Sequence, residues 1–315
     1  MPDQPQRCCV IGGAGFIGRH VTSLLAASGR HVTVLGRREK PAVALPDGVA
    51  YVSGDYGDRT ALRMALRQVD AVVDLAYSTV PRTSFEDPIF DITSNLPASV
   101  QMLQEAEAAG IRKVVIVSSG GTVYGVATSL PIREDHPTNP ISPYGITKLT
   151  IEKYAGMFRA TSGLPIVIVR PGNAYGEGQH ASSGQGFIAA AMDATKRGEA
   201  VGVYGPTGTV RDYIHVEDVA SGIVAALDEG EAGQIYNIGT GEGRSNLDVL
   251  GQIEPLAQAS GYEVRVSTLP PRTFDVPANV LDNRKLAAAT GWKPAIDFPR
   301  GLERAWRSVV DDRGR

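Results

Sequence analysis

The stretch CCVIGGAGFIGRHVTSLLAASG, residues 8–29, decides the fold. It opens as a short apolar run, Cys8 to Gly12, and closes as a helix-length pattern from Phe16 onward. Between them Gly12, Gly15 and Gly18 stand three residues apart, directly after the predicted strand and across the start of the predicted helix. Glycines at such a junction permit a tight turn and let backbone approach a pyrophosphate, whose charge then meets the helix N-terminus. Glycine spacing alone is weak evidence, because an ordinary strand-to-helix turn uses it too. Here strand, turn and helix agree in order and length, so the stretch, with Phe16 and Ile17, reads as a dinucleotide-binding turn.

Outward from that turn the alternation repeats. HVTVLG (31–36), AVVDLAY (71–77), KVVIVSS (113–119) and PIVIVRPG (165–172) are continuous apolar runs separated by helix-length segments. Such strands belong in a parallel sheet covered on both faces. The expected fold class is α/β, a Rossmann-type doubly wound parallel sheet with a smaller α/β substrate-binding lobe. Regularity weakens after Gly172, yet residues 215–239 again read as helix then strand and are expected to return to the main sheet. Residues 1–172 with about 210–240 are therefore assigned to the dinucleotide-binding domain, and about 173–209 with 241–315 to the smaller lobe.

Composition narrows the partners. The chain has 315 residues, 43% hydrophobic and 21% charged, with a net charge of −3. That charge gives no reason to expect nucleic acid or an anionic membrane. No apolar segment approaches the ~18 residues that span a bilayer, and MPDQPQRCCV has no apolar signal core. A cytoplasmic location is expected, and the adjacent Cys8 and Cys9 read as packing residues of a reduced fold. No residue is assigned to a metal.

The second strand bears on the cofactor's ribose. NAD sites place an Asp or Glu about 20 residues beyond the glycines to accept from the 2′-hydroxyl. Here the strand ends Leu35-Gly36-Arg37-Arg38. Arg37 and Arg38 suit a 2′-phosphate, or equally a solvated basic turn. NAD is expected and NADP stays open. Asp55 is placed to meet the adenine amino group or to serve as a solvated turn residue. Tyr56, Leu75, Ala76 and Ser118 complete the expected cofactor wall.

The proton chemistry is expected from SPYGITK, residues 142–148. Ser142 reads as an N-cap and Pro143 as the first helical residue. Four residues apart on one face, Tyr144 and Lys148 point the same way. An ammonium beside a phenol, with a cationic nicotinamide near, lowers the phenol's pKa toward working pH. Such a phenolate exchanges a proton with a substrate hydroxyl while hydride moves to or from the ring.

The glycine turn, VSSGGTVYG (117–125), YGITK (144–148), RPGNAYGEGQ (170–179) and VRDYIHVEDVA (210–220) together resemble the extended short-chain dehydrogenase/reductases. Within that group the chain looks most like NAD-dependent nucleotide-sugar 4-epimerases of the UDP-galactose type, over nearly its whole length. The resemblance implies that Tyr144 and Lys148 are the catalytic pair and that Asn95 helps order the active site at the cofactor. It also implies that Asn173 and Arg211 contact the diphosphate of a nucleotide-diphosphate sugar, and that Arg272 and Asp275 close the nucleotide site. It further implies a homodimer formed by the helices near 92–109 and 143–162. Read from the residues alone, Arg211 can instead pair with Asp212, the PPR turn at Arg272 can face solvent, and His215 is better taken as a packed helix cap than as an acid or base.

One departure stands out. Gly120 falls where the resemblance places the serine or threonine that meets the sugar's 4-hydroxyl, which would open the sugar pocket. If the strand continues, Thr122 shares the Gly120 face and replaces that hydroxyl. A bend after Ser119 favours Ser119 instead, and a water is the third option. With Gly-Gly-Thr at 120–122, the acids a 4,6-dehydratase would carry there are missing. The expected function is therefore 4-epimerisation, with an NADPH-dependent 4-ketoreductase and a non-catalytic dinucleotide sensor as rivals.

Overall fold

The computed structural model describes residues 6–181, 186–272 and 275–311. Strands β1 (Arg7–Ile11), β2 (His31–Gly36), β3 (Ala50–Ser53), β4 (Ala71–Asp74), β5 (Lys113–Val117) and β6 (Ile166–Pro171) come first. They are followed by β7 (Asn173–Tyr175), β8 (Ala200–Tyr204), β9 (Val210–Arg211), β10 (Tyr213–His215), β11 (Ile235–Ile238), β12 (Arg265–Leu269) and β13 (Ala278–Asn279). The helices are α1 (Phe16–Ala27), α2 (Arg59–Ala65), α3 (Pro81–Glu86), α4 (Pro88–Ala108) and α5 (Pro143–Ser162). After these come α6 (Phe187–Lys196), α7 (Val216–Asp228), α8 (Asn246–Ala259), α9 (Arg284–Thr290) and α10 (Phe298–Asp311).

Seven strands form one parallel sheet in the order β11-β6-β5-β4-β1-β2-β3. Alternate residues of a strand face opposite sides, so each strand feeds two cores. On β1, Cys8 and Val10 join Val21, Leu25 and Ile223 under α1 and α7. Cys9 and Ile11 join Leu62, Met102 and Phe158 under α2, α4 and α5. Both cysteines are free and buried. The strand order reverses between β1 and β4, and a crevice opens at the carboxyl ends there.

The late chain supplies β11 to the sheet edge beside β6. Its other strands pair off as β7 with β10, β8 with β12, and β9 with β13. A third core joins Ile188, Met192, Val203, Leu250, Leu302 and Trp306 of these later segments. The sheet therefore presents one row of loops to this smaller lobe, and the site lies between the two.

Candidate active site

A cavity of about 900 Å³ runs from the glycine turn to the smaller lobe. At one end the turn fits a pyrophosphate. Gly12 has φ of +79°, a region that favours glycine, and a Cβ on Gly18 would stand 2.1 Å from the Gly12 carbonyl. Only bare backbone allows α1 to start this close to β1. Gly15 caps α1 without a side chain, and the first turn carries no acid. The leading N–H groups thus face the cavity undefended by any protein anion, as phosphate binding requires.

Gly12, Gly15, Phe16, Ile17, Gly18, Leu75 and Ser118 line this end, with Tyr144 and Lys148 further along. Arg37, Arg38 and Asp55 are exposed outside its lining. Asp55 turns its Oδ1 onto its own loop, accepting from Gly57 N at 2.7 Å. The Tyr56 side chain departs from the expected cofactor wall. It is buried in the core, and its hydroxyl donates to Asp74 Oδ2 at 2.6 Å. Ala76 and Asn95 lie one layer behind the lining. Asn95 Oδ1 accepts from Ser78 N at 2.7 Å, holding the loop that follows β4.

Helix α5 carries Tyr144 and Lys148. Ser142 caps it by accepting from Gly145 N at 3.1 Å, and Pro143 opens its first turn. Tyr144 and Lys148 are both buried on the face that meets the cavity. Lys148 Nζ donates to Val117 O at 2.9 Å and stands 4.1 Å above the Tyr77 ring. Tyr77 in turn meets the Tyr144 ring edge-on, with centroids 4.8 Å apart.

The electrostatics differ from a simple ammonium–phenol pair. Burial pushes the Tyr144 phenol well above its ordinary pKa, the Asp91 carboxylate adds to this, and a hydrogen bond from Ser119 opposes it. Burial pulls Lys148 down to about 8, against the pull of Asp74, Glu152 and Asp91. In the protein alone the phenol keeps its proton, so the expected lowering of its pKa requires positive charge brought by a ligand.

The surroundings of Ser119, Gly120 and Thr122 follow from where β5 stops. The strand ends at Val117, and a turn follows in which Thr122 N and Val123 N both donate to Ser119 O. The bend directs Ser119 at Tyr144. It also turns Gly120 away from the cavity. A Cβ there would lie 2.5 Å from Leu281 Cδ1 and 2.9 Å from Arg170 O, so Gly120 packs against these residues and stands outside the cavity lining. The expectation of a pocket enlarged at Gly120 is corrected, since Gly121 is the glycine that lines the cavity. Thr122 lines it too, and its Oγ1 is buried without a hydrogen-bond partner among the described residues.

Asn173, Arg211, Arg272 and Asp275 form the far wall. Arg211 Nη1 donates to Val210 O at 2.8 Å, and Arg211 and Asp275 attract across the wall. No Arg211–Asp212 pair forms among the described residues. Asp212 points inward instead, accepting from Thr240 Oγ1, Gly241 N and Leu281 N. The Arg272 guanidinium stacks 3.4 Å over the Tyr204 ring. His215 caps α7, its Nδ1 accepting from Glu217 N at 3.3 Å, so Nε2 carries the proton toward Glu177 at 2.9 Å. Glu177, His215 and Glu217 converge within 4.8 Å, but Arg304 already holds both glutamates.

Sequence reasoning missed Tyr77, Asp91, Thr147 and Glu152. Asp91 is fully buried and accepts from Thr79, from Tyr77 at 3.4 Å and from Thr147 at 2.6 Å. Its one signal was an acid in the first turn of a long helix, which dipole arguments already explain.

A doubly wound sheet with a bare glycine turn and a buried Tyr–Lys pair defines a dinucleotide-dependent oxidoreductive site. The chain matches the NAD dependent epimerase/dehydratase family over residues 8–239, and it belongs to that family. It is 34% identical to the UDP-glucose 4-epimerase of Mycolicibacterium smegmatis, over 94% of this chain and 96% of that one. Among solved structures, it superposes with a TM-score of 0.87 on the Thermus thermophilus UDP-glucose 4-epimerase in complex with NAD. Identity is 34%, covering 97% of this chain and 99% of that one. The Thermotoga maritima UDP-glucose 4-epimerase with UDP-glucose gives a TM-score of 0.89 at 30% identity, covering 96% and 98%. Among the described residues no helix is long and apolar enough to cross a membrane.

Proposed function

We propose that the protein is an NAD-dependent nucleotide-diphosphate-sugar 4-epimerase of the UDP-glucose/UDP-galactose type. The observation that carries this is one cavity joining the glycine turn, the Tyr144–Lys148 pair and the Arg211–Arg272 wall. NAD supplies, when bound, an acceptor and donor of hydride and, when oxidised, a positive charge. Tyr144 takes the 4-hydroxyl proton and later returns it. Ser119 orients that phenol, and Thr122 Oγ1 offers a free hydroxyl to the sugar. Lys148, held beneath by Val117 O, balances the phenolate. Arg211, Arg272, Asn173 and Asp275 hold the diphosphate and nucleotide, so the sugar is free to present either face.

In this reading residues 1–172 with about 210–240 carry the dinucleotide, and about 173–209 with 241–315 carry the nucleotide sugar. The protein acts in the cytoplasm as a homodimer through α4 and α5. A second reading, an NADPH-dependent 4-ketoreductase, is favoured by the lack of an acid at the end of β2.

Purified protein is expected to interconvert UDP-glucose and UDP-galactose, and Tyr144→Phe to lower kcat by about 10²- to 10⁴-fold, the usual worth of general acid–base catalysis. Absence of interconversion across UDP-, dTDP- and GDP-hexoses, with NADPH oxidation on a 4-keto sugar, replaces epimerisation by the second reading.

A further inference from the structure

Lys148 is a buried ammonium with no counter-ion in contact. Its Nζ donates to Val117 O at 2.9 Å and forms no ion pair among the described residues. The acids that face it are engaged elsewhere. From β4, Asp74 accepts from the Tyr56 hydroxyl at 2.6 Å and from Ala76 N at 3.2 Å. From α4, Asp91 accepts from Tyr77, Thr79 and Thr147. On α5 itself, Glu152 holds Arg170 and Ser118. All three attract Lys148 from beyond contact, and together they do not overcome its burial.

A ring covers Nζ as well. Tyr77 lies just beyond β4, and its centroid is 4.1 Å from Nζ, against 5.9 Å for the Tyr144 ring. An ammonium within about 6 Å of a ring face is attracted by the ring quadrupole, most strongly where water is excluded. Two neighbours fix that ring. Tyr144 meets it edge-on with centroids 4.8 Å apart, and the Tyr77 hydroxyl donates to Asp91 at 3.4 Å. Burial and the Asp91 carboxylate push the Tyr77 phenol upward, so it stays neutral. Tyr77 thus touches both members of the pair from the cavity wall.

We propose that Tyr77 is a positioning residue for Tyr144 and Lys148, its ring face keeping Lys148 an ammonium and holding Nζ beside Tyr144. The inference rests on the reading of these two residues as the acid–base pair, and it names the group that sustains the charge within it.

Carbon NMR of the full chain as purified, labelled at lysine Cε, tests it, the Lys148 resonance being the one absent from Lys148→Met. Tyr77→Phe keeps the ring face and drops the hydroxyl, whereas Tyr77→Met keeps an apolar cover without a face. Lys148 is expected to titrate within about 0.3 unit of wild type in Tyr77→Phe and about one unit lower in Tyr77→Met, a roughly tenfold loss of proton affinity. The alkaline limb of kcat/KM for UDP-galactose is expected to stay in place in Tyr77→Phe and to move to lower pH in Tyr77→Met. Melting temperatures near wild type show that the variants fold, and Tyr77→Leu is the second non-aromatic replacement. A Lys148 titration that Tyr77→Met and Tyr77→Leu leave in place or move upward makes the ring a mere cover and overturns the proposal. Equal shifts in Tyr77→Phe and Tyr77→Met overturn it too, because they assign the effect to the hydroxyl and Asp91. Wild-type protein without turnover removes the proposed reaction, while the NMR titration still decides the role of the ring.

Discussion

Lys148 shows what the proposed catalytic pair costs the fold. Burial lowers its pKa from 10.5 to about 8, so between those values the unfolded chain holds a proton that the folded chain has released. Stability therefore rises with pH across that window, and the contribution is missing below about pH 8. At pH 7 the charged ammonium is held in place at a penalty on the order of 3 kcal/mol, offset in part by its bond to Val117 O. Lys148→Met is expected to lose activity at every pH and yet to match or exceed wild-type stability at pH 7, by roughly 1–3 kcal/mol. Its advantage should shrink as pH climbs from 8 toward 10. Urea denaturation of the cofactor-free proteins at stepped pH measures this, and a stability gap that stays flat with pH would refute the assigned burial penalty.

At the scale of elements, α5 is fixed to the sheet by a charge pair rather than by apolar contact alone. Glu152, two turns beyond Tyr144, accepts from Arg170 of β6 at 3.0 and 2.6 Å and from Ser118. Both charged side chains are only 3% exposed. Removing one member leaves a buried charge without its partner. Glu152→Ala is expected to destabilise by about 3–5 kcal/mol, and Glu152→Ala with Arg170→Met by clearly less. Chemical denaturation of the set decides it, and a double variant as unstable as the single one removes the pair's role. The start of α5, Tyr144 and Lys148 were legible because capping and helical spacing are local rules. The Glu152–Arg170 tie, the Asp91 hydroxyl cluster and the end of β5 were not. The turn after Val117 depends on Gly120 N donating to Pro171 O and on Leu281, some 160 residues on, filling the space beside Gly120. No periodicity within VSSGGTVYG carries that information. Alternation along a strand misplaced Gly120 because the strand had already ended at Val117.

Across the whole molecule, apolar surface gathers on the side of α4 and α5. Ile89 is 68% exposed, Ile92 43%, Ile146 53% and Met157 43%, with Tyr154 among them. The two helices lie against each other, joined by the Thr147–Asp91 hydrogen bond. The exposed residues thus lie on two adjacent helices, the same two that hold Tyr144 and Asp91. Four large apolar residues on neighbouring helices exceed the scattered exposure of an ordinary surface. A second copy related by a two-fold axis would cover them with the same four residues, since such an interface is self-complementary. The protein is expected to run as a dimer in light scattering coupled to size exclusion at micromolar concentration. Ile92→Asp with Ile146→Asp should shift it to monomer while leaving its far-UV circular dichroism unchanged. The monomer is also expected to lose about 1–2 kcal/mol of apparent stability at that concentration, through the lost mass action of assembly. A wild-type protein that is monomeric at these concentrations, or a double variant that remains dimeric, would place the interface elsewhere.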